Sequence, residues 1–175
     1  MKVLKGSLAA LALMALVALP AFAASANATT TVSITVAADA KISVCGATTT
    51  LSTAGAFADY LGSCVVTYSL RTTKVGGSGS ITLAATTNWV AGAGGAGPVI
   101  GTDSFSFTTT ANTGPGTSNN GSINAVLANQ NVITAIGANA HANNASFSSN
   151  FDLVNSPSWE TDTYTVPIRY TITSN

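Results

Sequence analysis

The segment 163–173 (TYTVPIRYTIT) alternates without a break. Tyr164, Val166, Ile168, Tyr170 and Ile172 hold the even positions, and Thr163, Thr165, Pro167, Arg169, Thr171 and Thr173 the odd ones. Successive side chains of a β-strand point to opposite faces, so this pattern predicts a strand with one apolar face on a core and one polar face in water. Pro167 has no backbone N–H to give to a ladder, which places its strand at a sheet edge or a bulge.

A second alternation covers 32–44. Val32, Ile34, Val36, Ala38, Ala40, Ile42 and Val44 share one parity, and Thr31, Ser33, Thr35, Ala37, Asp39, Lys41 and Ser43 the other. Extended at about 3.3 Å per residue, such a run would reach roughly 43 Å, far beyond a typical strand. It is expected to bend between two sheets or to serve two roles. The small residues Ala37, Ala38 and Ala40 mark the expected break.

Between the two ends, Cys64, Val66, Tyr68 and Leu70 alternate with Val65, Thr67, Ser69 and Arg71, and 81–85 (ITLAA) reads as the antiparallel return of a hairpin. Residues 104–110 (SFSFTTT) form a further strand. Phe147, Ser149, Phe151 and Leu153 share one parity and give a penultimate strand. Residues 91–98 (AGAGGAGP) read as a flexible surface loop, since no Lys-Ser/Thr ending follows them to make a phosphate cradle. Asn and Thr interrupt every helical candidate beyond residue 23. Seven to nine short strands with turn signals between them predict an all-β, two-sheet antiparallel sandwich.

The first 23 residues read as a cleaved signal peptide. Lys2 and Lys5 are its positive start, 8–19 (LAALALMALVAL) its apolar stretch, and Ala21-Phe22-Ala23 the small-residue site after Pro20. Cleavage after Ala26 or Ala28 is an alternative. The apolar run falls short of the roughly 20 residues a membrane span needs, and no later stretch could span as a helix. Residues 24–175 are then one exported domain, extracellular or at the cell surface. An even cysteine count in an exported chain predicts a disulfide between Cys45 and Cys64. Cys64 lies on the apolar face of its strand and Cys45 on the polar face of its own, so the bridge is expected at a strand end or a bulge.

Charge excludes several function classes. Only 7% of residues are charged, and removing Lys2 and Lys5 leaves four basic against six acidic side chains, a net −2. No basic patch is present for nucleic acid or anionic lipid. Two cysteines and one distant histidine do not make a metal motif. His141 lies among Ala and Asn with no carboxylate or cysteine near it in sequence and reads as a polar loop residue. Glu160 and Asp162 sit at the mouth of a strand, where solvated charges are ordinary. No catalytic residue, cofactor or metal is expected. Trp89, Trp159 and Tyr60 offer an aromatic platform for sugars on one reading and core packing on the other.

Assembly is the remaining class. An exposed sheet edge accepts a strand from another chain. Residues 31–37 have the form of such a donor, with Val32, Ile34 and Val36 on one face. The alternatives are a strand that pairs within its own sheet, and a monomeric carbohydrate- or surface-binding sandwich.

The run VSITVAADAKISVC, a second early cysteine and the terminal TYTVPIRYTIT together resemble pilins assembled by donor-strand exchange, as in chaperone–usher fimbriae. The resemblance implies an incomplete immunoglobulin-like sandwich completed by the N-terminal segment of the next subunit. It also implies copies of the chain, a periplasmic chaperone and an outer-membrane usher as partners. It covers the two ends of the chain and leaves 85–145 unmatched.

Overall fold

The computed structural model describes residues 30–175; the signal segment 1–23 and the cleavage alternatives lie outside them. The chain divides into Met1–Thr35 and a compact body, Val36–Asn175. Residues 30–38 belong to no strand, and among the described residues there is no helix.

The body is built from β1 (Asp39–Ser43), β2 (Ser52–Thr53), β3 (Tyr60–Arg71), β4 (Gly79–Ala85), β5 (Val90–Ala91) and β6 (Phe105–Thr110). After these come β7 (Thr117–Ser118), β8 (Gly121–Ser122), β9 (Gln130–Ile136), β10 (His141–Leu153), β11 (Tyr164–Thr165) and β12 (Ile168–Ser174). One sheet runs β1-β3-β10-β6-β8, with β2 also on β3. A second runs β12-β4-β9-β7, and β11 pairs with β5 in a small ribbon. Every pair between these strands is antiparallel.

The sheets meet through their inward faces. Val66, Tyr68, Phe107 and Phe147 from the first sheet join Ile81, Leu83, Val132 and Ile133 from the second in one fully buried cluster. At roughly 1.5–3 kcal/mol for each large apolar side chain buried, this cluster is the main stabilising element of the fold. Tyr68 lies deep in it, and its hydroxyl donates to the Asn112 side chain at 3.0 Å, so the buried phenol keeps a partner. Burial holds its pKa above the ordinary tyrosine value.

The body has two poles. β1 begins at Asp39 opposite Arg71, the end of β3. Thr73 donates its N–H to Asn175 (2.8 Å) and accepts from Asn139 (2.8 Å), so 72–78, 137–140 and the end of β12 share this entry pole. The far pole gathers 86–104, 123–129 and 154–163. There Val154 donates to Ser104, Leu127 to Ala85, Thr86 to Pro167 and Glu160 to Ala96. The disulfide Cys45–Cys64 forms, with Cys45 beyond the end of β1, where strand alternation has already lapsed.

Three expectations change. β3 and β4 are not a hairpin; β3 lies between β1 and β10, and β4 belongs to the other sheet. The buried Thr72 hydroxyl donates to the Gly137 carbonyl (2.8 Å), anchoring the turn that carries the chain across the entry pole. His141 is not in a loop: it opens β10, which is 13 residues long. The C-terminal strand is split at Val166–Pro167, its first part pairing with β5 and its second with β4. The expected extended run over 32–44 forms strand only from Asp39 to Ser43, so its break falls within the small-residue segment.

Candidate functional site: the open side between β1 and β12

The two long sides of the body are built differently. On one, β7 and β8 are edge strands of different sheets joined through Asn119 and Asn120. The Asn119 N–H donates to Val132 at 2.9 Å, and its side chain donates to the Thr134 hydroxyl at 2.9 Å. The Asn120 side-chain oxygen accepts from the Thr109 N–H at 2.9 Å. This corner ties the sheets together. On the other side, β1 ends the first sheet and β12 ends the second; the two run near each other with no ladder between them.

Hydrogen-bond parity shows what these edges present. The Thr86 N–H donates to Pro167 (2.9 Å) and the Asn175 N–H to Ser78 (3.0 Å). Backbone groups alternate sides along an antiparallel ladder, so odd residues of β12 face β4. The N–H and C=O of Ile168, Tyr170 and Ile172 therefore point away from the sheet. Likewise Thr72 donates to Ala140 (2.9 Å), which turns the even residues of β3 toward β10 and the odd ones toward β1. Their partners Asp39, Lys41 and Ser43 are engaged. The backbone groups of Ala40 and Ile42 lie on the open side, where the Ala40 N–H donates to the Asp39 carboxylate at 2.8 Å.

The side chains of these same residues point inward. Ala40, Ile42, Val166, Ile168, Tyr170 and Ile172 all pack on the core, yet each is only partly buried. Their cross-strand neighbours Ile81, Leu83 and Ala85 on β4 are wholly buried. Burial falls off across a single strand spacing, at the outer margin of the sheet. Tyr170 is the largest of these residues, and burial raises its phenol above the ordinary value.

Pro167 sits where the β12 ladder begins. Its carbonyl accepts the Thr86 N–H, and its missing donor falls at the end of the pairing, a position where proline is tolerated. Tyr164, expected in the core row of the terminal strand, lies on the ribbon instead. Its hydroxyl is shared between the carbonyls of Ala96 (2.6 Å) and Glu160 (2.8 Å), and its ring packs against Gly97, where a side chain would collide with it. Asp162 accepts from the N–H groups of Ala93 (2.8 Å) and Thr163 (2.7 Å), which hold its carboxyl below the ordinary range. The glycine-rich stretch is thus folded around Asp162 and Tyr164.

Val32, Ile34 and Val36 expose 89%, 86% and 58% of their surface. In the body, Arg71 donates from Nε to the Ala37 carbonyl at 2.7 Å, next to the start of β1.

The aromatic residues considered for sugars are partly buried and packed: Tyr60 stacks on Trp159, and Trp89 meets Phe105 edge-on. The His141 ring reaches the Asn139 carbonyl at 3.3 Å. The shallow hollow beside it, about 360 Å³, is lined by Thr113, Asn143 and Asn144 and holds no carboxylate. Among the described residues no group of three His, Cys, Asp or Glu side chains is close enough to hold a metal ion. No protein-family model, curated protein or solved structure matches the chain.

Proposed function

We propose that the chain is a structural subunit of a cell-surface filament, and that residues 31–37 of one copy complete the open side of the next. The observation that carries this reading is the pairing of two unfilled features. The outer edge of β12 turns the backbone groups of Ile168, Tyr170 and Ile172 away from its sheet above partly buried apolar side chains, while Val32, Ile34 and Val36 form a largely exposed apolar row. An added strand would satisfy both at once, through main-chain hydrogen bonds and alternate side chains. Three apolar side chains buried at roughly 1.5–3 kcal/mol each give several kcal/mol before the ordering cost of the segment.

The donor belongs to a second copy because of how it leaves its own body. Ala37 is held by Arg71 and Asp39 begins β1, so Ala38 alone separates the two. Folding back beside β1 would require a tight hairpin at Ala37-Ala38, and alanine is poorly suited to the positive φ angles such turns demand. The order β12-β4-β9-β7 against β1-β3-β10-β6 supports an immunoglobulin-like sandwich lacking its last strand. The resemblance to chaperone–usher pilins extends the proposal to export through a periplasm, with a chaperone covering the open side and an outer-membrane usher as the exit.

Deleting 29–37 tests the reading. The shortened chain should keep the wild-type circular dichroism spectrum and form no filaments by electron microscopy. Filaments of normal length from that deletion would refute it.

A further inference from the structure

The described residues carry ten charged side chains, and the fold sorts them by sign. Asp39, Lys41, Arg71 and Lys74 lie at or beside the entry pole, three basic against one acidic, a net +2. Asp59, Asp103, Asp152, Glu160, Asp162 and Arg169 lie at or beside the far pole, five acidic against one basic, a net −4. The one ion pair among the described residues, Arg71 with Asp39 at 3.9 Å, lies within the entry pole and leaves Lys41 and Lys74 unmatched there. At the far pole, Asp59 accepts from the Asn155 N–H, Asp103 from Val99 and Asp162 from Ala93 and Thr163. The backbone fixes these carboxylates in place without neutralising them. Each pole also displays an apolar residue beside its charges. Val75, next to Lys74, is 86% exposed, and Phe57, near Asp59, is 72% exposed at a φ of 56° that a bulky side chain rarely adopts.

We infer that successive copies dock pole to pole, the basic entry pole of one on the acidic far pole of the next, and that this contact sets the head-to-tail polarity of the filament. The inference rests on the strand donation proposed above. With only Ala38 between the donor segment and β1, and an extended chain spanning at most about 3.6 Å per residue, two joined bodies have no room to stand apart. One pole of the acceptor must meet the donor's entry pole. β12 runs from the far pole to the entry pole, since Ile168 pairs with Ala85 and Ser174 with Gly79. A donor arriving over the far pole therefore lies antiparallel to β12, and opposite charges meet. A donor arriving over the entry pole would lie parallel to β12 and press +2 against +2. Strand direction and charge select the same arrangement.

Assembly of the full chain, followed by light scattering and electron microscopy, tests this. The forms compared are wild type, Lys74→Glu, Glu160→Lys, the double variant, and Ile34→Asp as the donor-strand control. Opposite charges steer association by factors of roughly 10–1,000, and salt removes the effect once the Debye length falls toward about 3 Å. Wild-type assembly should slow about tenfold or more between roughly 20 mM and 500 mM NaCl. Each single reversal should slow it about tenfold at low salt, and the double variant should recover most of the rate. Thermal unfolding checks that each variant is folded; Lys74→Gln and Glu160→Gln replace any reversal that is not. Reversals that assemble at the wild-type rate with the wild-type salt response overturn the pole contact, as does a double variant no faster than the singles. If Ile34→Asp polymerises normally, strand donation itself has failed. If it blocks assembly while the reversals change nothing, only the pole contact has failed.

Discussion

Ile81 and Ile172 stand opposite each other in the β4–β12 ladder, with the same side chain aimed at the same core. They differ in one respect. Ile81 is wholly buried, and Ile172, one strand further out, is partly buried at the open side. Replacing isoleucine by alanine removes three carbons, worth about 2.4 kcal/mol at roughly 0.8 kcal/mol each. At Ile81 the hole is closed on all sides, and the unfilled cavity should bring the total to about 3–4 kcal/mol. At Ile172 some of the lost surface is already wet, and the gap opens to a side where neighbours and water can move in. The cost there should be about 1–2 kcal/mol. Urea denaturation of both variants in an Ile34→Asp background, which keeps the protein monomeric under the proposed function, measures the difference. The midpoints should separate by the equivalent of roughly 2 kcal/mol with unchanged slope. Equal costs at the two positions would mean that the side beside β12 is as closed as the middle of the sheet, and the argument for an acceptor edge would fall. Under the proposed function the donor covers Ile172 in the assembled state, so its alanine variant should there lose stability approaching that of Ile81→Ala.

Two further outcomes follow from the geometry around the site. The Cys45–Cys64 bridge spans 19 residues in sequence, and replacing both cysteines by serine should cost about 3 kcal/mol and loosen β1; reduced wild type and the double variant should melt together, and a variant that melts with the oxidised protein would contradict this. Asp162 has a carboxyl pKa depressed by the N–H groups of Ala93 and Thr163, so its hold on the glycine-rich stretch is complete above the ordinary carboxylate range, near pH 4, and is lost as pH falls through the depressed value. Amide exchange at Ala93 and Thr163, corrected for its intrinsic pH dependence, should speed up on acidification in wild type and be fast at all pH values in Asp162→Asn; protection in Asp162→Asn equal to that of the wild type at neutral pH would count against the clamp.

The sequence was most legible where a strand has one wet face. β12 and residues 64–71 of β3 show clean alternation because their odd residues face solvent and their even residues face the core. It was least legible where the partner of a strand mattered, because periodicity assigns a face and says nothing about the neighbour. That is why 64–71 and 81–85 read as a hairpin although they belong to different sheets. The beginning of β10 was hidden for a different reason. The register slips between Ala142 and Ala145, and Asn144 takes a φ of 54° in the bulge. Ala142 and Ala145 both turn toward the core on opposite parities, so the alternation from Phe147 to Leu153 cannot be followed back to His141. The split at Pro167 was half readable: the proline pointed to the limit of a ladder, but the change from the β5 ribbon to β4 depends on long-range pairing.

The candidate site shows the same division. The apolar row Val32, Ile34, Val36 and the row Ile168, Tyr170, Ile172 are local patterns and can be read from neighbouring residues. Their relation cannot, because the openness of the β1–β12 side follows from which strands end each sheet and from the Asn119–Asn120 corner closing the opposite side. Charge placement is further still from the linear sequence. A net of −2 over the described residues conceals +2 at one pole and −4 at the other. Asp59 and Glu160 reach the same end of the body from far apart in the chain, and Lys74 reaches the opposite end on the connection between β3 and β4. In a body with so few charges, serine, threonine and asparagine supply most of the polar side chains, and under the proposed assembly the sorted charges orient one copy against the next. Under the proposed assembly, polarity depends on two independent features, the direction of β12, which the topology fixes, and the sign of each pole, which substitution can reverse without disturbing the strand.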